Sequence, residues 1–303
     1  MDLIPPISGI EIYSRFGLRI DKVIMWNKLQ YIEFLQACFW TIFSIIIWCL
    51  IFFAMMKISP YIPNPGEVSP IFWSTIYLAL LSGMVMVGTS LYVIDRWIKV
   101  SSSVSALFGM TLIFAAIIHY TNQLVHHSQL TALVIDIALL GIGCHIGKII
   151  ALGVNQRSYL VPLSLVASVT DFWSVWGGPS HIMVHEPTFQ YYFLVSYPLL
   201  GTKEILPTLG LGDITFLALY FALLPQYNLK IRATSWAIVF AFLITFLLSF
   251  LAGNALPAIP FISAAFLLIN WKLLEFKKED IRTTFVFIGI FFLIAFLFTK
   301  FIH

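Results

Sequence analysis

Three aspartates stand inside long apolar runs of this chain: Asp136, Asp171 and Asp213. A charge in lipid is costly, so an acid inside an apolar span is a functional candidate by default. Two of the three carry local context. Asp213 closes "LGLGD" (209–213), where Gly210 and Gly212 flank Leu211 and Pro207 lies upstream. Glycine allows close backbone approach and proline limits a helix start, so Asp213 is expected at the mouth of a helix that water can reach. Asp171 follows Thr170 in "TDFWSV" (170–175), near the end of another apolar run. Two carboxyls that meet cannot both ionise. They share a proton, one acting as base on a water and the other as acid toward a carbonyl, which is the chemistry of amide hydrolysis. Such a pair titrates as a unit. The plain alternative is that each acid only hydrogen-bonds inside a bundle. Asp136 is expected at the depth of the pair and is read as a structural partner, with tuning of the pair as its alternative role. The third feature is "GNALPAIPFI" (253–262), where Pro257 and Pro260 keep a helix start irregular. Irregular backbone at membrane depth persists only where it is buried in protein or lines a wet cavity.

These residues need elements to hold them. The 303 residues are 60% hydrophobic and 10% charged, which indicates an all-α polytopic membrane protein. A spanning helix needs roughly 20 mainly apolar residues. About nine windows qualify: 33–56, 71–94, 104–120, 131–153, 159–176, 207–225, 233–252, 256–275 and 283–301. Residues 1–32 carry Arg15, Arg19, Lys22 and Lys28 among isolated apolar residues and are read as an interfacial segment. The run 33–56 is too long for a signal-peptide core and is read as a retained span. The long link is 177–206. Its aromatic core "TFQYYFLVSYPLL" (188–200) predicts a strand or short β-hairpin. The chain then divides into 1–32, a four-helix region 33–153, a region 154–275 with the three motifs, and a further helix 276–303.

Positive charge tests the alternation. With the N-terminus inside, the inner links hold fourteen of the seventeen basic residues: Arg15, Arg19, Lys22, Lys28, Arg96, Lys99, Lys148, Arg157, Lys230, Arg232, Lys272, Lys277, Lys278 and Arg282. Only Lys57, Lys203 and Lys300 fall outside. Basic residues collect on the cytoplasmic side, so this bias predicts a cytoplasmic N-terminus and an outer 177–206 loop. Asp171 and Asp213 then sit at one depth, on consecutive antiparallel helices. No basic stripe is present, so nucleic acid is not a partner.

"TDFWSV", "LGLGD" and "ALPAIP" (255–260), in this order and with one helix between the last two, resemble the three signatures of the presenilin and signal peptide peptidase family of intramembrane aspartyl proteases. The resemblance covers about 159–275. It implies hydrolysis of peptide bonds within membrane-embedded segments of proteins or signal peptides. It implies that Asp171 and Asp213 are the catalytic pair, with Gly210, Leu211 and Gly212 around the second acid. Pro257, Ala258 and Ile259 would shape the active site. No cofactor or metal is implied; the partners are transmembrane-helix substrates and the lipid bilayer, with oligomers or accessory subunits left open. Thr170 stands where the family usually has tyrosine and is a candidate modulator. The family has five helices before the first acid, against four here, and usually ends after the third motif, whereas this chain adds a helix. The outer 177–206 loop resembles the orientation of signal peptide peptidases, and the compact chain suits a prokaryotic plasma membrane.

Other strings fail their motifs. "HIMVHEP" has His181, His185 and Glu186, but Phe189 stands where a zinc protease needs its second histidine. "GIGCHIGKII" lacks the first glycine and the Ser/Thr of a phosphate loop; Gly143 and Gly147 are expected to mark a close helix contact instead. His145 and Lys148 are expected to snorkel or pair near the inner end. The prepilin peptidases also resemble this chain at "GLGD", but continue to a lysine where Thr215 stands, and lack the third motif. An ion-coupled carrier or channel and an inactive scaffold of the same fold remain the alternative functions.

Overall fold

Apolar runs without periodic polar positions fold here as helices that are buried in protein on one side and open on the other. A computed structural model describes residues 9–62, 71–100, 104–124, 129–178, 190, 192–198, 200, 205–252, 256–274, 282, 285–286 and 289. Among them are eight α-helices: α1 (Gly9–Ile58), α2 (Ile71–Ile98), α3 (Val104–Leu124), α4 (Gln129–Gly153), α5 (Leu160–Gly177), α6 (Leu211–Gln226), α7 (Ile231–Ala252) and α8 (Ile259–Asn270). A two-stranded antiparallel sheet joins β1 (Leu194–Pro198) and β2 (Ile205–Gly210) between α5 and α6.

Six of the expected spans coincide with helices long and apolar enough to cross a membrane. Two others, Leu211–Gln226 and Ile259–Leu273, are shorter apolar helices. The ninth window, 283–301, lies almost wholly outside the described residues, as does the His181/His185 pair. The expected helix 207–225 needs correction. Residues 205–210 are strand, and the helix begins only at Leu211. Pro207 has no N–H to give a helix, whereas strand pairing with Ser196 does not ask for one. The boundary at residue 32 is not a break either, because α1 runs unbroken for 50 residues. Such a helix is about 75 Å long, more than twice the hydrocarbon thickness it would have to cross.

At the centre, α4 packs on α6. Leu217, Ala218, Leu219 and Tyr220 are all buried, as expected of a helix apolar on every side. Close approach depends on Gly143 and Gly147 of α4. A Cβ at Gly143 would lie 2.5 Å from Ile214 Cγ2, and one at Gly147 would lie 2.7 Å from Ala218 Cβ. The helix contact read from those glycines is therefore present. The outer helices leave apolar side chains exposed, including Phe108, Leu112 and Ile113 on α3 and Phe240, Ile244 and Leu251 on α7. Lipid is the solvent such faces suit.

The end opposite the hairpin is closed by polar contacts. Asn228 adopts a left-handed φ of 51°, and the Leu229 N–H returns to the Leu224 carbonyl at 2.9 Å, turning α6 into α7. Tyr227 Oη and Gln226 Nε2 donate to the Val154 carbonyl at 2.6 and 2.9 Å. Arg157 donates to the Tyr227 carbonyl at 2.9 Å. His145 accepts from the Trp97 indole at 3.1 Å, and Lys148 donates to the Ile98 carbonyl at the end of α2. Both the pairing expected of these two residues and the favourable site for a cation at a helix C-terminus are thus met.

Candidate active site

The site is assembled where three irregular backbone segments meet three acids. Ile259 is the first residue of α8, after the non-helical Leu256–Pro257 stretch, with Pro260 behind it. Its N–H has no partner inside the helix, as at any helix start. Asp171 Oδ2, near the end of α5, accepts it at 3.0 Å. The "TD" helix and the Pro257-Ala258-Ile259 segment are therefore joined by one hydrogen bond across 88 positions of sequence. Pro257, Ala258 and Ile259 are all buried.

Asp213 is the third residue of α6 and reaches back over the helix start. Its Oδ2 accepts the Gly210 N–H at 3.1 Å. Gly210 has no side chain to return the bond, so only half of a capping box is made. The helix start also favours a negative group at this place. Asp171 lies within electrostatic reach of Asp213. Both acids are half-buried, so each keeps part of its carboxyl accessible. Gly210 is crowded: a Cβ there would lie 3.2 Å from Asp213 Oδ2. Gly212 is the opposite. It is exposed, and a Cβ there would meet nothing within 4 Å. Leu211 is half-buried against the core. Thr170 spends its hydroxyl on its own helix, bonding the Val166 carbonyl at 2.8 Å, so the side chain does not reach toward Asp171.

Asp136 differs from the pair. It is 1% exposed. Its Oδ1 accepts the Ser196 N–H of β1 at 2.9 Å. All three acids thus receive a backbone N–H from an irregular or edge segment, yet only Asp171 and Asp213 are accessible.

Sequence reasoning missed the hydroxyls beneath the pair. Tyr220 Oη on α6 bonds Ser263 Oγ on α8 at 2.7 Å and donates to Ser164 Oγ on α5 at 3.1 Å. Its ring stacks on Phe266 with centroids 4.4 Å apart. One buried hydroxyl therefore ties together the three motif-bearing helices. A signal existed: Ser164 lies seven before Asp171, Tyr220 seven after Asp213 and Ser263 four after Ile259. Those spacings keep each on the face of its motif residue.

Compared with protein-family models, with curated proteins and with solved structures, the chain matches none.

Proposed function

We propose that this protein is an intramembrane aspartyl protease, resembling the presenilin and signal peptide peptidase family, with Asp171 and Asp213 as its catalytic pair. The observation that carries the reading is the meeting of the three motif-bearing helices: Asp171 holds the Ile259 N–H, and Tyr220, on the helix of Asp213, is hydrogen-bonded to Ser164 and Ser263 on the other two. The accessibility of these two acids, set against the burial of Asp136, supports the same division of roles.

One carboxyl of the pair is ionised and the other protonated. The ionised one takes a proton from water as the water oxygen bonds the peptide carbon. The protonated one gives its proton to the carbonyl oxygen. The tetrahedral diol then collapses: a diol hydroxyl returns its proton to the ionised carboxyl, the C–N bond breaks, and the leaving nitrogen takes the proton of the other carboxyl, so the pair again holds one proton. A helical substrate hides its carbonyls in its own hydrogen bonds, so it must unwind locally, and strand addition to the hairpin is one way to hold the unwound stretch. The Ser196 N–H of β1 is already taken by Asp136, so the stretch 188–200 does not offer this donor to a substrate. Strand β2 runs directly into Gly210 and Asp213, so a stretch held along the hairpin would lie beside the second acid. In this reading the bias of basic residues favours a cytoplasmic N-terminus and a hairpin end outside.

The test is a single-span peptide incubated with the purified protein in lipid and read by mass spectrometry. Cleavage within the span by the native protein and none by folded Asp213→Asn is the expected result. Equal products from both would remove Asp213 from the chemistry. No product from either, with ion flux in proteoliposomes, would replace the protease reading by a carrier.

A further inference from the structure

Asp136 is buried in α4, and its two oxygens have different fates. Oδ1 accepts the Ser196 N–H at 2.9 Å, while Oδ2 is buried with no hydrogen-bond partner. Leaving a buried polar atom unpaired costs about 1–3 kcal/mol, so the bond made by the other oxygen is expected to return something for it. Its target is specific. The β1–β2 ladder slips between Val195 and Ser196, where the pairing jumps from Leu209 to Pro207. The extra residue is Thr208 of β2, so β2 is the strand the bulge re-aims, and Asp136 holds Ser196 of β1 directly across from it. The neighbouring Tyr197 is fully buried, and its Oη meets Ser90 Oγ at 2.7 Å, which also receives the Trp48 indole at 3.0 Å. Leu200 N–H donates to Ser82 Oγ at 3.0 Å. Strand β1 is thus tied to α4 through Ser196 and to α2 through Tyr197, with Leu200 just beyond it tied to α2 as well, and β2 pairs with β1. The last residue of β2 is Gly210, which gives its N–H to Asp213. On α4, Asp136 shares a face with Leu140, Gly143 and Gly147, and the two glycines press on Ile214, Thr215 and Ala218 of α6. One face of one helix therefore sets both the register of the hairpin and the seat of the helix that carries Asp213.

We propose that Asp136 is a positioning residue, which clips the β1 backbone at the bulge and so fixes the register in which the hairpin presents both Asp213 and the substrate stretch. This rests on the protease reading of Asp171 and Asp213, and adds to it a determinant of where the substrate is cut.

The experiment compares the native full chain in lipid with Asp136→Ala, Asp136→Asn and Ser196→Pro. Hydrogen exchange reads the amides of β1, and mass spectrometry reads the bonds cut in a single-span peptide. Asp136→Ala is expected to speed exchange in β1 by about tenfold. It lowers kcat by up to about a hundredfold, the scale of an ångström of misplacement, with KM within about twofold. It also spreads the cut over neighbouring bonds. Asp136→Asn keeps an acceptor and restores both the single cut and the native pH profile. Ser196→Pro removes the same donor from the other side and reproduces the spread. A folded Asp136→Ala that cuts the native bond at the native rate overturns the proposal. So does an Asp136→Asn that loses as much as Asp136→Ala or moves the pH profile, because the proton rather than the acceptor would then matter. If Asp136→Ala does not fold, Ser196→Pro decides: an unmoved cut overturns the clip. A native protein that cuts nothing, while Asp136→Ala still exchanges faster in β1, overturns the protease reading and supports the clip.

Discussion

Tyr220 presents one hydroxyl to two serines on two other helices, and Phe in its place would keep the ring on Phe266 while deleting both bonds. Interhelical hydrogen bonds inside membrane proteins are modest, so Tyr220→Phe should cost about 0.5–1.5 kcal/mol in a reversible unfolding titration. An unchanged midpoint would show that the hydroxyl ties nothing. Gly212 gives the complementary case. Its Cβ position is open, so Gly212→Ala should fold as the native chain does. The same methyl would stand beside Asp213, where the proposed protease activity would have a substrate pass. A loss of kcat/KM with unchanged thermal stability is the expected split; equal activity would mean that substrate does not approach from this side. At this scale much was legible. Asp171, Asp213 and the Pro257-Ala258-Ile259 segment stand out because a charge is costly in lipid and the closely spaced Pro257 and Pro260 interrupt a helix start. Ser164, Tyr220 and Ser263 do not, since hydroxyls sit in spanning helices at little cost by bonding their own backbone, as Ser164 also does to Leu160 at 2.8 Å.

The element that matters most to Asp213 is α4, which carries none of the three motifs. Gly147 lies against the Thr215 carbonyl, and an added Cβ would also sit 2.8 Å from the Leu219 nitrogen. Backbone cannot swing away as a side-chain tip can, so Gly147→Ala must push α6 outward. A destabilisation of about 1–3 kcal/mol and a fall in kcat are expected together. A stable, fully active Gly147→Ala would show that the α4–α6 contact does not position the acid. Strand β1 was legible from its aromatic, β-branched run, but β2 was not. "ILPTLG" is apolar and continuous with the helix that follows, so only its pairing with β1 separates it from that helix. The helix start thus moved four residues, from 207 to 211, and the two glycines came to straddle a strand-to-helix junction.

Over the whole molecule, bulky aromatics mark two levels. Trp176 is exposed near the hairpin end, and Trp236 and Trp271 are exposed near the opposite end, as belts at two membrane surfaces would be. The bias of basic residues predicts the orientation. With the native cysteines replaced, a single cysteine at Lys203 should react with a membrane-impermeant thiol reagent in intact cells, and one at Arg157 should react only after the membrane is opened. The reverse pattern would invert the chain and contradict the charge argument. Alternation of charge is an expectation of the sequence alone, because it depends only on counting links. The convergence of α5, α6 and α8 was not legible there, because it depends on which faces meet, and these helices are apolar on nearly all faces.

The central claim is that Asp171 and Asp213 act as one unit. Its most direct test measures peptide cleavage by Asp171→Asn, Asp213→Asn and the double variant, each shown to be folded in lipid. Groups that act together lose their effect together, so both single variants should fall to the same residual rate and the double should fall no further. If one single variant keeps substantial activity, or if the losses multiply in the double, the two acids work independently and the paired mechanism is wrong.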